Sequence, residues 1–163
     1  MKKSLVLLIG FMILVFSGCV TQQPLDIEAE KAKVEIVLDQ HIQLLKTEDM
    51  ELLTAIYAHD PDMINIGTDA TERIVGWEEL KDLMQQQFDM TETNSVGVRE
   101  RVIHIHTSGS VAWFSEILDW ELTFNEETIE MEGLRATGVL DNRGGNWLLV
   151  QVHYSVPTNS EEG

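Results

Sequence analysis

Apolar residues recur at Val34, Val37, Leu38, Ile42 and Leu45 with acids and lysines between them. That spacing predicts an amphipathic helix over Glu30–Lys46, with His41 inside its apolar stripe. "TEDMELLTAIYA" predicts a second helix: Thr47 is placed as its N-cap, Glu48 and Asp49 suit the positive end of the dipole, and Leu52, Leu53 and Ile56 form its apolar side. Met50 stands where a capping box would need Glu or Gln. "HDPDMINIG" reads as a break and a short strand closed by Gly67, and "GWEELKDLMQQQF" sets Trp77, Leu80, Leu83, Met84 and Phe88 on one face of a third helix.

Beyond Asn94 the period changes from 3.6 to 2. "VGVRERVIHIH", "SVAWFSEILDWELTF", "TIEMEGLRATGVL" and "NWLLVQVHYSV" are separated by "TSG", "NEE" and "DNRGG", all of them turn chemistry. Helices followed by consecutive strands on short hairpins predict an α+β domain with an antiparallel sheet. Strict alternation sorts the last hairpin into two faces. Pairing Leu140 with Leu148 makes one face apolar and gathers Arg135, Thr137, Gln151 and His153 on the other, with Thr137 opposite Gln151 and Arg135 opposite His153.

Helices and one short strand first, then a meander ending in "NWLLVQVHYSVP", resemble the SnoaL-like branch of the nuclear transport factor 2-like superfamily. "VAWFSE", "RATGVL" and "WLLVQVHYS" carry the likeness over about Ala29 to Pro157. A weaker likeness runs to the association domain of calmodulin-dependent protein kinase. The resemblance implies a cone, three N-terminal helices packed on a curved antiparallel sheet with a pocket at the open end, and in many members dimerisation through the sheet. It implies no chemistry, because this superfold hosts isomerases, dehydratases, cyclases, epoxide hydrolases and noncatalytic binders.

The N-terminus changes the picture of where such a domain works. "MKK" is a charged n-region, "LVLLIGFMILVF" an apolar core too short to span a bilayer comfortably, and "SGC" a small-residue cleavage site. "VFSGC" resembles the lipobox of prokaryotic lipoproteins, with Phe16 in place of the usual Leu. Cys19 is the only cysteine and has no disulfide partner within the chain, so it is read as the lipidation site, with a plain signal peptide or an anchor helix as alternatives. The expected organisation is a signal peptide over 1–18, a lipidated Cys19 and tether over 19–28, a domain over 29–157 and a disordered tail over 158–163. The expected location is outside the cytoplasmic membrane of a prokaryote, held by lipid. Loss of Met1–Gly18 removes two lysines and no acid, moving the formal charge from −17 to −19. That sign excludes phosphate-backbone binding and any basic membrane patch. With no second cysteine, cysteine-ligated zinc is excluded.

Candidate chemistry has a functional and a structural reading at each position. Arg135, Thr137, Gln151 and His153 make either an anion or carbonyl site or the outer sheet face, solvated or buried between subunits. Glu116 shares a face with Ala112, Phe114, Leu118, Trp120 and Leu122, where an acid has a raised pKa unless paired. It is either a general acid or base or half of a structural salt bridge, with Arg135 as a candidate partner. Trp113, on the opposite face, is packing or a ligand platform; His41 is a pocket histidine or a satisfied core one. His104 and His106 share a side of their strand, but nothing supplies a third ligand, so no metal and no cofactor are expected. Nucleophile elbows, phosphate loops and dinucleotide fingerprints are absent. The expectation is a homodimeric domain binding a small, partly apolar ligand. A small isomerase, dehydratase or hydrolase using a pocket Glu or His, and a structural or partner-binding module, stay open beside it.

Overall fold

The structure, a computed structural model, describes residues 25–157. The expected signal peptide over 1–18, Cys19 and residues 158–163 lie outside the described residues. Helix α1 spans Ile27–Thr47, α2 Met50–Ile56 and α3 Trp77–Met90; strands are β1 Ile64–Ile66, β2 Arg73–Val75, β3 Thr91–Ile105, β4 Val111–Phe124, β5 Glu127–Arg143 and β6 Asn146–Ser155. They form one six-stranded sheet in the order β2-β1-β6-β5-β4-β3. The meander is antiparallel as expected, but β1 joins β6 in parallel, and β2, a three-residue strand the sequence pattern does not announce, covers β1.

Helix α1 starts at Ile27 because Asp26 caps it, its carboxylate accepting from the Ala29 amide at 3.0 Å. The last residues read as tether are therefore helical. Thr47 does not cap α2. It ends α1, its hydroxyl donating to the Gln43 carbonyl, and Glu48 follows in a left-handed turn at φ 55°. The cap of α2 is Asp49, which accepts from the Glu51 and Leu52 amides at 2.8 and 3.1 Å. An aspartate takes the role because its carboxylate reaches two orphan amides at once.

The helices lie on one face of the sheet. Val34, Leu38 and Leu45 of α1 and Leu80 of α3 meet Phe114, Leu118, Leu134, Leu140 and Leu149 in a single buried cluster. Alternation along β4 is regular, so Ala112, Phe114, Glu116, Leu118, Trp120 and Leu122 face inward and Trp113 and Ser115 outward. The β5–β6 pairing departs from strict alternation. Leu140 pairs with Leu149 and Val139 with Gln151, leaving Val150 as a bulge, so the inner set of β6 is Trp147, Leu149, Val152 and Tyr154. The expected pairs are corrected accordingly: Thr137 lies opposite His153, and Arg135 opposite Ser155. Next to the bulge, Gly138 leaves no room for a side chain, because a Cβ there would strike the Gln151 carbonyl and the Phe114 ring. Further irregularities in β3–β4 and β4–β5 bend the long strands around the helices.

Candidate functional site

A cavity of about 370 Å³ opens between the sheet and the helices, within the size range of small-molecule sites. Its sheet wall is Trp120, Leu122, Met131, Leu134 and Tyr154; its helix wall is Leu45 of α1 with Leu83, Met84 and Gln87 of α3. Tyr57, just after α2, and Asn65 of β1 add polar groups to a mainly apolar lining. The mouth is formed by Gly67, Thr68 and Glu72 from the β1–β2 loop, by Met90 and Thr91 where α3 runs into β3, and by Phe124 at the end of β4. Met90 is 58% exposed there, and an apolar rim beside an apolar cavity gives a hydrophobic molecule a continuous path inward.

Behind this cavity lies a polar cluster that the apolar stripe of α1 brings into the core. His41 is fully buried, and its Nε2 lies 3.1 Å from the Tyr57 hydroxyl and 2.9 Å from the Tyr154 hydroxyl. A single ring nitrogen serves both phenols, and Nδ1 has no partner among the described residues. Burial, with the nearby Arg101 charge adding to it, pulls the His41 pKa from 6.5 down to about 4, so the ring is neutral at pH 7. Burial raises both phenols, and for Tyr154 the neighbouring Tyr57 and the Glu116 charge add to the shift. The group is an all-neutral hydrogen-bonded trio at pH 7.

Glu116 sits on the inner face of β4 with 1% exposure. Its partner is Arg101 of β3, whose Nε donates to Oε2 at 2.6 Å; the same guanidinium donates from Nη1 to Asp39 of α1 at 2.6 Å. Arg135, the expected partner, points the other way from the sheet and donates to the Val156 carbonyl at 3.0 Å. The reason is strand parity: Glu116 pairs with the inward Ala136, one residue from Arg135. Burial raises the Glu116 pKa, Arg101 offsets this only in part, and Asp39 beyond the arginine adds to the rise. Oε1 has no partner among the described residues. Neither Glu116 nor Arg101 lines the cavity, so the ion pair fastens α1 to β3 and β4.

The residues singled out from sequence therefore fall in two places. His41 and Glu116 are inside. Trp113, Arg135, Thr137, Gln151 and His153 share the outer face, where Ser115, Thr137 and His153 lie in one cross-strand row and Trp113, Val139 and Gln151 in the next. Trp113 stacks on His104 at 5.4 Å between ring centres, and His106 bonds Ser108 in the adjoining turn. No group of three or more metal-ligating side chains occurs among the described residues. Reading the residues one by one missed Tyr57, Asn65 and Arg101. A signal for Arg101 existed: it shares strand parity with Ile103 and Ile105, whose apolar character marks the inner face.

The SnoaL-like domain family matches residues 34–159 of the chain. No curated protein matches it. Among solved structures, it is similar to a nuclear transport factor 2-like superfamily protein from Salmonella enterica, at 19% identity and TM-score 0.67, covering 83% of this chain and 96% of that one. A ketosteroid isomerase-like protein from Erwinia carotovora aligns at 16% identity and TM-score 0.66, covering 79% and 97%. A candidate calcium/calmodulin-dependent protein kinase II association domain from Xanthomonas campestris aligns at 19% identity and TM-score 0.64, covering 78% and 87%. At these identities the likeness is one of fold.

Proposed function

The chain belongs to the SnoaL-like domain family, and from that premise we propose that it is a lipid-anchored, extracytoplasmic domain that binds a small, partly apolar molecule in its cone. The observation that carries this reading is the cavity: open at one end, mainly apolar, and bordered by hydroxyl and amide groups at Tyr57, Tyr154 and Asn65. Three of the residues read as candidates for acid–base work lie away from it. Glu116 is held by Arg101 away from the cavity, and Arg135 and His153 are on the other side of the sheet. A ligand in this site is held by apolar contact and oriented by a few neutral hydrogen bonds, and Glu72 at the mouth disfavours an anion.

An enzyme is the second reading, and its specific support is the Tyr57–His41–Tyr154 trio, in which a cavity-lining phenol is hydrogen-bonded to a buried imidazole. Homodimerisation belongs to the proposal as well. Its support is the outer sheet face, where Val102 and Trp113 are 48% and 44% exposed.

The test is titration with a neutral polyaromatic fluorophore such as 1-aminoanthracene. The wild-type protein should enhance and blue-shift its emission saturably, and Met131→Trp, which fills the cavity from β5, should abolish the enhancement. Equal enhancement by both proteins would place the probe elsewhere and remove the basis for the cavity reading.

A further inference from the structure

The two ends of the cone differ in what they are attached to and in charge. At the closed end, Leu25 lies against Gly109 in the β3–β4 turn, and the first turn of α1 is tied to the β5–β6 hairpin by the Trp147 indole donating to Glu30 at 2.9 Å. At the other end, Glu48, which follows α1, accepts from the Thr93 amide beside the cavity mouth at 2.9 Å. The 21 residues of α1 thus run the length of the domain, about 32 Å at 1.5 Å per residue. Strand β4 makes the same traverse, from Val111 beside Ser110 to Phe124 at the mouth.

Acidic side chains are distributed unevenly between these ends. The closed-end turns, His106–Ser110 and Asn142–Asn146, contain no acid and one arginine; of the acids near them, Asp60 and Asp141 pair with that Arg143 and Glu30 pairs with Lys33, leaving Asp26, Glu28 and Asp62. The segments around the mouth, 48–51, 67–72, 89–92 and 125–127, carry nine acids and no base. Near an anionic surface this asymmetry turns the mouth away.

We infer that the closed end, with the His106–Ser110 and Asn142–Asn146 turns, is the surface that faces the lipid bilayer, and that the cavity opens toward the aqueous side. The inference rests on the lipid attachment at Cys19 proposed above. Five residues lie between Cys19 and Leu25, six Cα steps in all, so the tether reaches at most about 20 Å, less than the length of the domain beyond it. A short tether at the closed end and repulsion at the mouth act in the same direction. The ligand then arrives from solution or from a soluble donor, and does not slide in laterally from the membrane that holds the anchor.

The experiment uses the full, lipidated chain reconstituted into vesicles of phosphatidylethanolamine with a minor share of phosphatidylglycerol. Because Cys19 is the only cysteine, a cysteine introduced at an exposed site is the only free thiol of the lipidated protein. Thr107→Cys marks the closed end and Ala70→Cys the mouth, both exposed positions, each labelled with an environment-sensitive fluorophore. A nitroxide on the lipid headgroup should quench the label at position 107 and leave that at position 70 at the level seen without nitroxide. Quenching at position 70, alone or together with 107, would overturn the orientation, as would quenching at neither site in protein that floats with the vesicles. Protein that does not float, with an unmodified Cys19 by mass, would sink the lipid attachment itself, and that outcome is distinguishable from the others.

Discussion

The inner and outer faces of the same three strands carry comparable sets of polar residues and treat them in opposite ways. Inside, Glu116 of β4 and His41 of the α1 helix packed on that face are cut off from water, and each has a fixed hydrogen-bond partner. Outside, Arg135 and Thr137 stay solvated. Strand parity alone decides between the two: Glu116 and Ser115 are consecutive, yet one sits in the core beside Ala136 and the other faces out beside Thr137. A polar residue on a strand becomes consequential when the alternation turns it inward, because there its desolvation must be offset by a partner.

The largest effect that tests this contrast comes from Arg101→Ala, which leaves Glu116 buried without its counter-ion. Urea unfolding at pH 7 should show a loss of about 3 kcal/mol or more, shrinking as the pH falls and the carboxyl takes a proton. Arg101→Ala combined with Glu116→Gln should recover part of the loss. An unchanged unfolding midpoint in Arg101→Ala would mean that the ion pair does not hold α1 to the sheet.

The pH dependence of stability is the next test. The unfolded chain protonates His41 as the pH falls through 6.5, whereas the fold resists until about 4, so folding stability drops across that window by up to roughly 3 kcal/mol. Glu116 works in the opposite sense. Its raised folded pKa stabilises the fold at low pH, a contribution lost as the pH rises through 4.5 and beyond. His41→Gln should therefore flatten or reverse the acid limb of the stability profile, and Glu116→Gln should steepen it. Parallel profiles for wild type and both variants would contradict the assigned environments.

The smallest effect is expected on the outer face. Arg135→Ala should change monomer stability by less than about 0.5 kcal/mol and leave probe binding intact, because it loses one exposed hydrogen bond to the Val156 carbonyl. Sedimentation separates the two remaining roles: a shift toward monomer places Arg135 in a subunit interface, and no shift leaves it a solvated strand residue.

Much of this architecture was legible in the sequence, for identifiable reasons. The α1 and α3 stripes repeat over three or more turns, and the meander alternates over strands of ten residues or more, so the period is strong where the elements are long. Strand β2 is three residues inside a polar stretch and offers no period to read. The bulge at Val150 was hidden because "WLLV" is apolar at every position, so either parity buries hydrophobic side chains, and only Gln151 and His153 register the slip. Glu116 was legible as an inward acid among apolar neighbours. Its partner was not, because Arg101 reaches it from an adjacent strand and Asp39 reaches Arg101 from a helix 62 residues away in sequence. The cavity could not be read at all, since it is the space left by Leu45, Met84, Leu122 and Leu134, each of which reads as ordinary core.

The claim that the cone holds the ligand is tested most directly by native mass spectrometry of the protein purified from its own host, beside Met131→Trp and Arg135→Ala. The account predicts a retained small-molecule mass, or its uptake from a host lipid and metabolite extract, in wild type and Arg135→Ala, with none in Met131→Trp. A bound mass that survives Met131→Trp and disappears in Arg135→Ala would contradict it and move the site to the outer face of the sheet.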